Sequence, residues 1–322
     1  MLYLSTRNKA DTYTAHRALN EPMAPDGGFY VPFHLPVFTQ DECFNIKNLT
    51  FCEAIAKVLN LFFGLRLTGW DVECEVGRLP LRLEPVNQRL LFSETWRNPA
   101  GSHKYLLRNL YALMTGKKDG NTQPVGWVCI AIEIALLFAA YTTVDVTEEG
   151  LDVAVATGDF AEIVAVLYAK QMGLPVNIVV CADNENSICW DLLTKGEYNV
   201  NTAVVNTVLP QMDIAQPKYL EYFVYMRLGI RETIRFVEDS EQKKIYRVDE
   251  EQLPMLAEGL FAAVVSANRV DPILSGMYRA NGYTTDPVTA LAYGGLQDYR
   301  SHTGVNRDTL ILAKQRPNKE ME

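Results

Sequence analysis

Leu151-Asp152-Val153-Ala154-Val155-Ala156, then Thr157-Gly158-Asp159-Phe160, then Ala161 to Met172, then Gly173-Leu174-Pro175 and Val176 to Cys181: the fold turns on this run. The first six residues form a short apolar stretch and predict a buried strand. The next four read as a turn, residues 161 to 172 as a helix, and Val176 to Cys181 as a second buried strand. Strand, crossover helix and strand form a βαβ unit, the repeating piece of a parallel sheet, so the unit predicts an α/β protein. Its crossover helix begins directly after Thr157-Gly158-Asp159-Phe160, and unpaired N–H groups at a helix start suit an anion. Asp159 has a second use there, because an aspartate can cap the helix itself and fill that anion slot with its own carboxylate.

Upstream, Asn98-Pro99-Ala100-Gly101-Ser102-His103-Lys104 puts one lysine between a turn and a helix. Asn98, Pro99 and Gly101 are turn formers, and Ser102 is a good N-cap. Leu106, Leu107, Leu110 and Leu113 recur at helical spacing over Tyr105 to Met114, so Lys104 falls in the first helical turn, where an amine is placed for covalent chemistry. A lysine at a helix start is otherwise most simply a solvated charge. His103 is a candidate acid or base, or a partly buried ring.

Composition narrows the function. The 322 residues are 48% hydrophobic and 21% charged, an ordinary globular balance that excludes disordered and fibrous classes. A net charge of -9 without clustered Lys and Arg argues against nucleic acid as the main partner. The six cysteines form no CxxC pair and the four histidines give no zinc-ligand spacing, so no metal site is expected. No signal-peptide core opens the chain, and the most apolar run, Trp127 to Tyr141, is interrupted by Glu133 and too short to span a bilayer. A soluble, cytoplasmic protein with reduced thiols is expected.

Two further motifs flank these. Tyr3 to Arg7 is followed by Ala24-Pro25-Asp26-Gly27-Gly28-Phe29-Tyr30-Val31-Pro32, and Phe51 to Phe63 carries Ile55, Val58, Leu59 and Phe62 on one helical face. His16 and His34 have no tuning partner in sequence and read as structural or exposed. The first of these motifs resembles the N-terminal domain of threonine synthases, Y-x-S-T-R followed by (A/S)-x-D-G-G-L-(Y/F)-(V/F)-P. Asn98 to Lys104 is similar to the cofactor-lysine motif N-P-T-G-S-F-K-D of that family and of fold-type II pyridoxal-phosphate enzymes. Ala100 stands for Thr, His103 for Phe, and Tyr105 where an acid is usual. Thr157 to Ala161 resembles the P-S-G-N-F-G-D loop that cradles the cofactor phosphate, and the match continues through Ala182-Asp183-Asn184-x-Asn186. Leu209-Pro210-Gln211-Met212-Asp213-Ile214 resembles P-S-M-D-I, and Asp286 to Tyr293 resembles D-P-H-T-A-V-A-Y with Val288 for His.

The resemblance implies a fold: a three-layer parallel-sheet α/β domain of the tryptophan-synthase-β-like class over residues 86–322, preceded by a small, mostly helical N-terminal domain over 1–85. Residues 230 to 275 read as a charged helical segment within the larger domain. The family's small mobile domain is missing between about 114 and 127, where Thr115 to Gly126 is a polar connector. The resemblance also implies that Lys104 descends from the lysine that bonds pyridoxal 5'-phosphate, with Asn98, Ser102, Thr157, Gly158, Asp159, Phe160 and Ala161 around the cofactor. Lys314 stands where relatives place the Thr that reaches the pyridine nitrogen. It either offsets Asp159 or is an exposed strand-end lysine. An active member would convert O-phosphohomoserine to threonine or act on another small amino acid. Asp159 replaces a neutral Asn and Ala161 a Gly, and at about 5 Å and an effective dielectric near 20 each phosphate charge costs about 3 kcal/mol against Asp159. The expectation is therefore a degenerate homologue that binds an amino-acid-like ligand or a partner. With the small domain lost, the 127–141 helix is either plain core or exposed on one side, open to a second copy or a partner subunit.

Overall fold

The structure is a computed structural model and describes residues 1–76, 83–87, 89–117, 122–144 and 150–317. Lys118, Asp119, Gly120 and Asn121 of the expected connector lie outside them. The decisive run folds as its pattern predicts. Strand Leu151–Ala156 leads through the helix Ala161–Gln171 into strand Val176–Asp183. The two strands are parallel, with Val153 to Ala156 opposite Val179 to Ala182.

They form the middle of a six-stranded sheet, in the spatial order Leu260–Val264, Val176–Asp183, Leu151–Ala156, Thr309–Ala313, Leu90–Glu94 and Leu83–Asn87. Leu260–Val264 pairs parallel to Val179–Asp183, and Thr309–Ala313 parallel to Leu151–Ala156. The expected charged helical stretch at 230 to 275 is therefore corrected. It holds the helix Ile230–Gln242, but Leu260–Val264 is an edge strand of the central sheet. Leu-Phe-Ala-Ala-Val has no alternation to mark a strand, and its register against Val179–Asp183 decides the matter. The helix Pro287–Thr303 lies on this sheet, and a Cβ on its Gly295 would come within 2.8 Å of the Ala182 Cβ, so glycine sets how closely helix and strand approach.

The chain divides into two compact units. One comprises Met1–Leu83, Glu94–Asp145 and Val164–Pro175, the other Glu84–Ser93, Val146–Ile163 and Val176–Glu322. A single cut near residue 85 does not reproduce this division, because the first unit takes in the helices that follow the lysine turn.

In that first unit, strands Tyr13–Thr14, Leu2–Ser5 and Tyr30–Pro32 form a small antiparallel sheet with Leu2–Ser5 in the centre. The helix Phe51–Phe63 starts in a reciprocal Thr50 and Glu53 capping box and buries Ile55, Val58, Leu59 and Phe62, the face its spacing predicts. It packs on the helix Trp127–Tyr141. The Trp127 ring lies 5.3 Å from Phe62, 5.1 Å from Tyr168 and 6.3 Å from Tyr3. All fifteen residues of this helix are buried. The core reading holds and an exposed side is not found: every residue but Glu133 is apolar, and the chain itself covers the helix all round.

Candidate functional site

The lysine turn is built by Asn98. Its side chain is 6% exposed, and its Nδ2 donates to the carbonyls of Thr95 at 2.9 Å and Ser102 at 2.8 Å. Its Oδ1 accepts from the amides of Ala100 at 3.1 Å and Ser102 at 3.3 Å. Gly101, at φ 62, closes the turn with an amide bond to the Asn98 carbonyl at 2.9 Å. The helix then runs His103–Thr115, and Ser102 occupies the N-cap with extended backbone but no side-chain capping bond. Asn98 ties down the turn from within, through the amides of Ala100 and Ser102 and not those of the helix's first turn.

His103 and Lys104 point to different surroundings. His103 is buried, with Nδ1 2.9 Å from Thr95 Oγ1 and Nε2 2.7 Å from Glu133 Oε1. Both ring nitrogens are engaged inside the core, so His103 braces the lysine helix against the helix Trp127–Tyr141. Glu133 is 4% exposed in the middle of that otherwise apolar helix, and the imidazole is one partner that makes a carboxylate tolerable there. Lys104 is exposed to solvent. Beside the turn, the buried Glu94 carboxylate pairs with Arg97, whose guanidinium stacks 4.9 Å from the Trp96 ring.

In the second unit, Thr157 is buried and its hydroxyl donates to Asp183 Oδ1, while its amide donates to the Ala182 carbonyl at 3.0 Å. Gly158 sits at φ 46, and Phe160 at φ 72 is a non-glycine residue in the left-handed region. The fully buried Phe160 ring, 5.6 Å edge-on from Phe223, holds it there. Asp159 turns inward on its own loop: its Oδ1 accepts from the Ala161 amide at 3.2 Å, and its carbonyl accepts from the Tyr219 amide at 3.0 Å. Lys314, just past strand Thr309–Ala313, pairs with Glu162 in the first turn of the helix. Only 23% of its side chain is exposed, so it is not the exposed strand-end lysine of the sequence reading.

Asp183 carries a second layer of this loop. Its Oδ2 accepts from the Trp190 amide at 2.7 Å. Burial pushes its carboxyl up to about 7, partly opposed by the Thr157 hydroxyl and the Trp190 and Cys189 amides. Two sequence motifs meet next to it. Asp213 Oδ1 accepts from Asn184 Nδ2 at 2.7 Å, Asn186 Nδ2 at 3.2 Å and Thr207 Oγ1 at 2.8 Å. Asn186 also clasps the Val205 backbone, accepting from its amide at 2.9 Å and donating to its carbonyl at 3.1 Å. Asp286 caps the helix Pro287–Thr303, accepting from the amides of Val288 at 2.9 Å and Thr289 at 3.2 Å.

The structure thus brings Asn98, Ser102, His103 and Lys104 together in one unit, and Thr157, Gly158, Asp159, Phe160, Ala161 and Lys314 in the other. Sequence reasoning missed Thr95, Glu133, Glu162 and Asp183. The signal for Glu133 was there, a lone carboxylate within an otherwise apolar helix, which needs a buried partner. Among the described residues no group of three or more His, Cys, Asp or Glu side chains could hold a metal ion, and no helix is long and apolar enough to cross a membrane.

The fold agrees with the comparisons. Residues 2–73 match the family described as "Threonine synthase N terminus". "Threonine synthase-like 1" of Mus musculus is 30% identical over 147 residues, which are 44% of this chain and 19% of that protein. The chain therefore aligns with about a fifth of the length of that curated relative. Among solved structures, PLP-bound threonine synthase from Brucella melitensis superposes with a TM-score of 0.86 at 19% identity, covering 99% of this chain and 89% of that one. Threonine synthase from yeast does so with a TM-score of 0.83 at 17% identity, covering 98% and 87%. The α/β architecture with its mostly parallel central sheet is that of these threonine synthase structures. Residues 2–73 thus match a threonine synthase N-terminal family, and the chain has the fold of the threonine synthase structures.

Proposed function

We propose that this chain is a degenerate, threonine-synthase-like protein that keeps the family fold, does not turn over O-phosphohomoserine, and works by binding a small amino-acid-like ligand or a partner in the cytoplasm. One observation carries the reading: the Asp159 carboxylate accepts from the Ala161 amide at 3.2 Å, in the loop that relatives use for the cofactor phosphate. A phosphate there would compete with Asp159 for the helix-start N–H and would lie beside two carboxylates, Asp159 and Glu162. Lys314 is paired with Glu162. At about 5 Å and an effective dielectric near 20, Asp159 alone opposes each phosphate charge by about 3 kcal/mol. These loop residues do not fit the phosphate of pyridoxal 5'-phosphate, and no chemical step through that cofactor follows from them.

The polar connector on either side of residues 118–121 supports the reading of a truncated homologue, because it stands where the family carries its small mobile domain. Without that domain a site lacks the water exclusion that charge-separating chemistry needs. The test is an absorption spectrum of the protein titrated with pyridoxal 5'-phosphate, followed by borohydride reduction and peptide mapping. The reading predicts no visible band and no modified Lys104. A band that disappears in Lys104→Ala would overturn it and favour an active pyridoxal-phosphate lyase.

A further inference from the structure

The lysine helix carries a charge pattern that its place in the core does not require. From Thr95 to Lys117 the chain has four basic residues, Arg97, Lys104, Arg108 and Lys117, and no Asp or Glu, within a protein of net charge -9. Arg97 is neutralised by Glu94. Among the described residues the other three have no carboxylate partner. Lys104 and Lys117 are exposed, and Arg108 is half-buried with an Nε that is shielded from solvent and has no hydrogen-bond acceptor. A guanidinium N–H left without an acceptor is unusual, because it gives up its water without replacement.

The three cations lie on one stripe. At about 100° per residue, Arg108, Tyr111 and Thr115 fall within roughly 40° of Lys104 around the helix axis. Lys117 lies past the C-terminal glycine, and its ammonium returns to that stripe, 5.8 Å from the centroid of the Tyr111 ring. From Lys104 to Tyr111 the stripe rises about 10 Å along the axis. A single small anion reaches one or two of these groups. A segment with carboxylates one helical turn apart, or at alternate positions of a strand, meets them in succession.

We infer that the Lys104, Arg108 and Lys117 stripe is a docking surface for an acidic peptide segment of a partner protein. A partner carboxylate facing Arg108 can form charge-assisted N–H···O bonds with the terminal nitrogens of its guanidinium. Nucleic acid is the weaker occupant, since the chain's overall negative charge repels a continuous line of phosphates. The surface is read from the charge and geometry of this helix, and it rests on the proposed lack of turnover, because a Lys104 amine bonded to a cofactor could not meet a partner carboxylate.

Fluorescence anisotropy of the full chain tests it, with a labelled twelve-residue peptide carrying Glu at every fourth position and the same peptide with Gln in place of Glu. The Glu peptide binds, its affinity falls about tenfold or more as salt screens the contact, and the Gln peptide does not bind. Lys104→Gln, Arg108→Gln and Lys117→Gln combined abolish binding while circular dichroism stays unchanged. Arg108→Lys retains more affinity than Arg108→Gln. The charge-reversed pair Lys104→Glu and Arg108→Glu binds the Lys version of the peptide instead. Equal binding of the Glu and Gln peptides, or a triple variant that binds like the parent, overturns the inference. So does tighter binding of an RNA oligonucleotide of equal charge. Sedimentation showing a dimer that the triple variant loses would assign the stripe to a second copy and overturn it equally.

Discussion

Replacing His103 by Phe isolates the electrostatic part of the core beside the lysine turn. Phe keeps an aromatic ring of similar size in a slot that is 5% exposed, so little packing is lost. What is lost is one partner of Glu133, whose Oε1 lies 2.7 Å from His103 Nε2, and one partner of Thr95, whose Oγ1 lies 2.9 Å from Nδ1. Removing a hydrogen-bonding partner of a buried carboxylate costs about 1 to 3 kcal/mol, because the carboxylate keeps its desolvation penalty. The Thr95 hydroxyl adds about 1 kcal/mol. His103→Phe should therefore destabilise the protein by roughly 2 to 4 kcal/mol, read as a shift in the urea midpoint of tryptophan emission. Glu133→Leu added to His103→Phe removes that carboxylate and should recover most of the loss, to within about 1 kcal/mol of the parent. If His103→Phe costs under about 1 kcal/mol, or if the two substitutions add, the buried pair is not what holds these helices together.

Other substitutions probe the remaining joints. The raised carboxyl of Asp183 binds its proton more tightly folded than unfolded, so the folded state loses stability as pH rises from about 3.8 towards 7. The loss is complete above 7, on the order of 4 kcal/mol at most. Thermal melts from pH 4 to 8 should show this decline, and Asp183→Asn should flatten it. Asn98→Ala removes four hydrogen bonds from the lysine turn and should cost about 2 to 4 kcal/mol in urea unfolding, with amide exchange accelerated first at Ala100 to Ser102. Ser102→Ala, which removes no capping bond, should change stability by less than about 0.5 kcal/mol. Gly126 sits at φ 77, and an added Cβ would lie 2.3 Å from the Pro22 carbonyl oxygen. Gly126→Ala should lower the melting temperature sharply, by the equivalent of about 2 kcal/mol or more.

Periodicity carried most of the fold. The helix Phe51–Phe63 and the run from Leu151 through Asp183 form as their apolar spacing predicts, and the lysine helix differs by two residues at its start and one at its end. Leu260–Val264 was illegible because its strand character comes from pairing with Val179–Asp183, a contact that no local pattern encodes. The site was legible where its residues are neighbours in sequence and hidden where they are not. Asn98 to Lys104 and Thr157 to Ala161 announce themselves as turns before helices. Glu133 meets His103 across thirty residues, and Asp183 meets Thr157 across twenty-six. Ser102 takes the N-cap position its type suggests, but Asn98 holds the turn through the Ser102 amide and the serine hydroxyl makes no capping bond. The Thr157 to Ala161 loop was the most informative local signal, since the Asp159 carboxylate accepts from the Ala161 amide within the chain itself.

The most direct measurement of the central claim is phosphate release from O-phosphohomoserine by the purified full chain with added pyridoxal 5'-phosphate. The account predicts release no faster than in a protein-free control, unchanged in Lys104→Ala. Release that exceeds the control and is abolished by Lys104→Ala would contradict it.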